Sequence, residues 1–243
     1  MTKKKITIEV WSDFMCPFCY MGKQKMERGL SKFDHKEIVE IVWRSYQLAP
    51  DLVTDTSKKL DVYFAERKGI SLDEAIAINN DTVEKAKLEG LTYNLDKAIP
   101  PNTFQAHQMS HFAMGFGKQN EAEEVLFRSY FTDGKNIDDR ATLLELSEEI
   151  GLDSKALNSA LENETFANNV LADREEAKRL GIRMIPCFVV NGKESISGTY
   201  DENTFLEALN RAYQGKEAVD TFHKKDDSDI IEGDVCTIDG DCS

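Results

Sequence analysis

The sequence predicts an α/β fold: a central sheet of about four strands, laid out β–α–β at the start and β–β–α near the end, with an all-helical domain inserted between the halves. Three observations predict it. Strand-like segments cluster near the two ends of the chain. Residues 57–180 between them are rich in Ala, Leu, Glu and Lys at helical spacing. The two ends also complete each other, since together they supply one sheet and two helices. The expected division is a discontinuous sheet domain, 1–56 with 181–218, a helical domain, 57–180, and an acidic tail, 219–243.

The elements follow in order. Residues 5–11 alternate apolar and polar and read as a strand. A helical pattern then runs through Cys19, Met26, Leu30 and Phe33, and "EIVEIVWRSY" is β-branched and aromatic, a second strand over 38–46. About five helices are expected in 57–180. Their start signals are Ser71 with Glu74 as a capping box, Thr103 before "FQAHQM" and Asp153 before "SKAL", and "AIPPN" breaks the block at 98–102. "CFVVN", 187–191, leads through Asn191-Gly192 into "ESIS", a hairpin signal, and a last helix fits 201–214. Beyond it the chain is polar and acidic.

Composition narrows the function. A formal net charge of −14 over 243 residues excludes a basic stripe for nucleic acid or an anionic membrane. No apolar run reaches the roughly 18 residues that a membrane span needs. "MTKKK" is followed by "ITIEV", which has no apolar core of a leader, so a cytoplasmic protein is expected. Monomer and homodimer both remain open.

Five cysteines do not make a disulfide scaffold in a chain of this size, and their placement is more telling: Cys16 and Cys19, Cys187, then Cys236 and Cys242. Cys16-Pro17-Phe18-Cys19 falls at the first strand-to-helix junction. Thiol–disulfide exchange needs a thiolate, and a helix N-terminus favours one through unpaired N–H groups and the positive end of its dipole. Pro17 suits the first helical turn, where its missing N–H costs nothing. Two intervening residues bring Cys19 back beside Cys16. The expectation is an exposed attacking Cys16 and a more buried resolving Cys19. A zinc site is the other use of Cys-Pro-x-Cys, but zinc takes four ligands and only the irregular tail pair remains to complete it.

"SDFMCPFCYMG", the helical insertion and "IPCFVVNGKESISG" together resemble the DsbA-like thioredoxin family, and within it the cytosolic FrnE-like branch of dithiol–disulfide oxidoreductases. "VWRSYQLAPDL", "NTFQAHQMSHFA" and "LFRSYFTDGKNI" extend the resemblance over about 4–215. It implies a thioredoxin fold and Cys16 and Cys19 as the redox pair. It also implies a cis Pro186 beside them and an Ile185 backbone that pairs with an extended substrate. Pro17, Phe18 and His107 are expected to contribute to the active-site loop and substrate contact. Met184 stands where relatives commonly have Gly, and Cys187 where Thr, Ala or an aromatic residue is usual.

The implied activity is exchange of a Cys16–Cys19 disulfide with protein or small thiols, with no cofactor beyond that disulfide and with glutathione or thioredoxin as possible exchange partners. Alternatives are a glutathione-dependent isomerase or kappa-type transferase of the same fold, whose nucleophile is typically Ser, and a soft-metal or redox-responsive binding protein without turnover. Cys236 and Cys242 are expected to form a second, accessible redox pair. Cys187 reads as a small buried hydrophobe near Cys16. Asp13 tunes the thiolate, accepts a proton during resolution, or simply caps the turn into the helix. His107 and His111 share a helix face without a third metal ligand, while His35 and His223 read as surface residues.

Overall fold

The computed structural model describes residues 5–215 and 236–237. The chain forms β1 (Ile6–Ser12), α1 (Pro17–Ser31), a single 3₁₀ turn (Lys36–Ile38) and β2 (Val39–Ser45). Seven helices follow: α2 (Leu60–Lys68), α3 (Leu72–Leu88), α4 (Phe104–Met114), α5 (Gln119–Phe131), α6 (Arg140–Glu149), α7 (Ser154–Glu162) and α8 (Ala167–Arg179). The chain returns through β3 (Met184–Ile185), β4 (Cys187–Val190), β5 (Glu194–Ser197) and α9 (Glu202–Gln214), and Cys236–Thr237 form a short strand, β6. Among the described residues no helix is long and apolar enough to cross a membrane.

The sheet runs β2-β1-β4-β5, with β1 parallel to β2 and the other two pairings antiparallel. A parallel pair needs a crossover, and α1 supplies it. Ile6, Ile8 and Val10 on β1 are buried while Thr7 and Glu9 are half-buried, the alternation read from sequence. Asn191 and Gly192 take positive φ of 51° and 65°, which is what the tight turn between β4 and β5 requires. Gly29 of α1 lies so close to α9 that a Cβ there would sit 2.6 Å from the Glu202 carbonyl and 2.8 Å from Phe205 Cβ.

The helical block holds seven helices rather than about five, because short turns divide runs that look continuous in sequence. Gly69, in the left-handed conformation at φ 66°, ends α2 only two residues before the cap of α3. Ser71 and Glu74 form the expected capping box and Asp153 caps α7. Thr103 does not cap α4 with its side chain; Asn102 Oδ1 accepts the Phe104 N–H instead, at 2.9 Å.

This block seals the sheet's edge. Among the described residues strand β2 has a neighbouring strand on one side only, and its outward backbone groups would be open. Gln119 of α5 accepts the Trp43 N–H at 3.0 Å and donates to the Trp43 carbonyl at 2.9 Å, taking the place of a neighbouring strand. Asp173 of α8 accepts the Ser45 N–H and holds Arg44, and His111 of α4 meets Asp173 at 3.0 Å and Ser45 Oγ at 3.1 Å. His111 is thus a buried fastener between insertion and sheet.

Candidate active site

The dithiol lies where β1 hands over to α1. Cys16 is the N-cap residue, extended at φ −88° and ψ 111°, and Pro17 opens the helix. The Cys16 N–H donates to the Asp13 carbonyl at 3.0 Å and the Cys19 N–H donates to the Cys16 carbonyl at 3.1 Å, so the motif is one tight turn wound into the first turn of helix. Tyr93 donates its hydroxyl to the Pro17 carbonyl at 2.7 Å and stacks in a row with Phe131, Phe127 and Tyr20, which ties the motif to the insertion.

The Ile185–Pro186 peptide bond is cis. This loop lies against α1: a Cβ at Gly22 would come within 2.9 Å of Pro186 Cγ and 3.1 Å of Phe188, so glycine lets the two approach. Cys187 pairs with Trp11 across the sheet and lies within electrostatic reach of Cys19. The expected residues of the dithiol and the cis-proline loop therefore converge.

Exposure differs from expectation. Cys16 is 0% and Cys19 1% exposed, and both are free thiols. Burial, with the Cys19 hydrogen bond and charge behind it and the Asp13 charge smallest, pushes the Cys16 thiol well above its ordinary pKa. The reading of Cys16 as an open, acidic thiol is corrected: the helix N-terminus is there, but desolvation outweighs it. Burial likewise pushes Cys187 up to about 12, with a 3.5 Å contact from Ser197 Oγ acting the other way.

The tail also differs. Cys236 is disulfide-bonded and 0% exposed, not accessible, because β6 pairs antiparallel with β3 in the register Ile185↔Cys236 and Met184↔Thr237. It therefore occupies the edge beside the cis-proline. Cys242 and His223 lie outside the described residues.

Asp13 is 0% exposed and does not cap α1. Its Oδ2 accepts the Leu48 N–H at 2.7 Å, and its Oδ1 faces His107 Nε2 at 3.4 Å. His107, 3% exposed, lies against the Phe14 ring with centroids 4.8 Å apart. His35 is half-buried and stacks on Tyr213 at 4.1 Å rather than standing free. Phe18 is 3% exposed, and with Met15, Pro17, Leu60, Phe64 and Ile78 it lines a mostly apolar cavity of about 70 Å³ beside the dithiol.

Sequence reading missed Glu123. It is 2% exposed on α5, accepts the Ser110 hydroxyl at 2.6 Å, and is pushed up to about 8 by burial, with Ser110 and Lys23 pulling the other way. Its signal was a carboxylate on a helix face shared with Gln119, Leu126 and Phe127, where an apolar residue is usual. Among the described residues no group of three or more His, Cys, Asp or Glu is placed to hold a metal ion.

Comparison with known proteins agrees with this arrangement. The sequence pattern of the DSBA-like thioredoxin domain matches residues 7–210. The uncharacterized protein YwbO of Bacillus subtilis is 29% identical over 206 residues, covering 84% of this chain and 96% of its own. The crystal structure of a probable DsbA oxidoreductase from Streptomyces coelicolor superposes with a TM-score of 0.80 at 28% identity, covering 98% of each chain. The cytosolic disulfide reductase DsbM of Pseudomonas aeruginosa, solved with GSH, shares the fold at a TM-score of 0.57 and 15% identity, over 86% of this chain and 96% of its own.

Proposed function

The chain belongs to the DsbA-like thioredoxin family, and we propose that it is a thiol–disulfide oxidoreductase working through Cys16 and Cys19 on protein or peptide thiols and disulfides. One observation carries the reading: two free thiols, one turn apart, open the helix that packs at Gly22 against the cis-proline loop. In the reductive direction the Cys16 thiolate attacks a substrate disulfide and forms a mixed disulfide. Cys19 then displaces the substrate thiolate and closes the Cys16–Cys19 disulfide. The reverse sequence oxidises a dithiol. In this reading the Ile185 backbone pairs with an extended substrate strand, and Pro17, Phe18 and Pro186 shape the surface it meets.

The tail belongs to the same reading. Cys236 sits opposite Ile185, where an extended substrate would lie, so the disulfide at Cys236 is an intramolecular exchange partner of the dithiol. Deleting residues 232–243 should speed the first exchange at Cys16, by vacating the β3 edge, and slow steady turnover. An unchanged turnover rate refutes the tail's part.

The test is catalysis of insulin reduction by dithiothreitol. Cys16→Ser should abolish it, and Cys19→Ser should accumulate a mixed disulfide on Cys16 that mass spectrometry detects. Equal rates for wild type and Cys16→Ser overturn the proposal.

A further inference from the structure

A polar cleft of about 570 Å³ opens on the helical insertion, lined from α4, α7, α8 and the segment 47–54. Gln108 of α4 lines it. This residue is 2% exposed, and its Oε1 is shut from solvent with no hydrogen-bond partner among the described residues. Gln105 Oε1, from the same lining, is in the same position, while its Nε2 reaches the Asp138 carbonyl at 3.4 Å. Buried acceptors without donors cost free energy, so two such atoms on one cleft call for a ligand that brings N–H groups. Arg174 of α8 is half-buried in the lining and makes no ion pair among the described residues. The chain has 44 Asp and Glu against 30 Lys and Arg, yet none of the acids is placed on it. Arg140, the other cation of the lining, has Glu162 at 3.6 Å.

The spacing of the two acceptors selects the donor. Residues three apart on a helix face lie about 5–6 Å from each other. On an extended chain the N–H groups that point one way recur every second residue, roughly 6.5 Å apart. Two successive same-side N–H groups of an extended peptide therefore match Gln105 and Gln108. The protein uses this device internally, where Gln119 takes the Trp43 N–H at 3.0 Å and the Trp43 carbonyl at 2.9 Å.

One wall joins the cleft to the dithiol. The Leu48 N–H is held by Oδ2 of Asp13, three residues before Cys16, at 2.7 Å, and Leu48 shares the apolar cavity with Pro17 and Phe18. Gln47, Leu52 and Thr54 of the same segment line the cleft. Asn102 Nδ2 donates to the Leu52 carbonyl at 2.7 Å, and the Thr54 hydroxyl donates to Asp138 at 2.6 Å, so the wall is fixed before anything binds.

We propose that this cleft is a second docking subsite for a polypeptide substrate: an extended segment beside the reacting cysteine lays main-chain N–H groups on Gln105 and Gln108 and a carboxylate side chain on Arg174. Such a site reads backbone, so it takes any sequence that is unfolded there, and Arg174 adds a preference for acidic segments. Asp51 and Glu164, the other carboxylates of the lining, are exposed and screened by salt, whereas Arg174 is half-buried.

The inference rests on the proposed exchange at Cys16, and three reagents separate the two. The first is an unstructured peptide whose one cysteine, flanked by glutamates, is a mixed disulfide with thionitrobenzoate. The second has glutamines in place of the glutamates. The third is 5,5′-dithiobis(2-nitrobenzoate), which has no main chain to dock. Each peptide should release one thionitrobenzoate and leave the reduced dithiol oxidised. Release from none of the three refutes the exchange reading, and the inference falls with it. With release observed, Gln108→Met, similar in length but with no acceptor to satisfy, should lower the ratio of peptide to small-reagent rate constants about tenfold. Arg174→Gln should remove the advantage of the glutamate peptide over the glutamine peptide. A wild-type ratio in folded Gln108→Met, a wild-type glutamate preference in Arg174→Gln, or equal slowing of all three reagents overturns the proposal. If Gln108→Met does not fold, Arg174→Gln, which removes no hydrogen bond or ion pair among the described residues, decides alone. Glycyl-glutamate at equal concentration should compete far less than the glutamate peptide without its cysteine; equal competition assigns the cleft to a small ligand and overturns the extended-chain reading.

Discussion

Replacing Glu123 by glutamine should make the protein more stable at neutral and alkaline pH, and the structure sets how much. The Glu123 carboxyl is shut between α4 and α5 with the Ser110 hydroxyl as its hydrogen-bond donor. Burial raises it from 4.5 to about 8. In the unfolded chain the same group loses its proton near 4.5. Between these values the native state therefore holds a proton that the unfolded state has released, and stability falls as pH rises through the window. The slope is about 1.4 kcal/mol per pH unit, so the cost reaches about 3 kcal/mol at pH 7 and on the order of 5 kcal/mol at pH 8 and above. Below about pH 4.5 it vanishes.

The substituted glutamine would keep an oxygen for the Ser110 hydroxyl and never ionise. Urea unfolding followed by circular dichroism, at steps from about pH 4 to pH 9, measures both proteins. The variant's advantage should be near zero at about pH 4.5, grow to about 3 kcal/mol at pH 7 and level off past pH 8. Parallel curves with a constant offset would refute the reasoning, because they would show that Glu123 titrates alike in both states.

The remaining predictions concern packing. Gly22→Ala drives a Cβ to 2.9 Å from Pro186 and 3.1 Å from Phe188, and should cost about 1–3 kcal/mol in urea unfolding and slow exchange at Cys16, since the loop must move away. Gln119→Ala leaves the Trp43 N–H and carbonyl without the side chain that pairs them, and should cost about 1–3 kcal/mol while speeding amide exchange along β2. Cys187→Ala should leave insulin reduction in place, and native Cys187 should resist iodoacetamide at about pH 8, because its thiol is buried and raised to about 12.

What the sequence disclosed was mostly local. The dithiol turn, the Asn191-Gly192 hairpin and the capping box at Ser71 are each written within a few residues, in residue types that only a few backbone conformations suit. The cis-proline came from resemblance. Long-range relations stayed hidden because no spacing encodes them: Gln119 standing in for a strand beside β2, Asp13 meeting His107, and Cys236 lying along Ile185. Yet the contacts of α4 and α8 left a trace. His107, Ser110 and His111 occupy one face of α4, and Asp173 shares a face of α8 with the buried Val170 and Ala177. Polar residues on a core-facing stripe must be answered from elsewhere in the chain.

The burial of Cys16 was hidden for a quantitative reason. A helix N-terminus contributes about 0.3–1 kcal/mol to a nearby anion, less than one pKa unit. Full desolvation moves a pKa by up to about 3–5 units the other way. Where both act, burial wins, and the Cys16 thiol is raised. On the proposed function this links access to reactivity. Among the described residues the β3–β6 pairing spans Met184↔Thr237 and Ile185↔Cys236, and the edge it covers is the one a substrate strand would take. On this reading a substrate strand reaches the Ile185 backbone by taking the place of β6. A substrate that replaces β6 restores the strand pairing and brings its own disulfide to the dithiol, where burial holds the Cys16 thiol up until the substrate arrives.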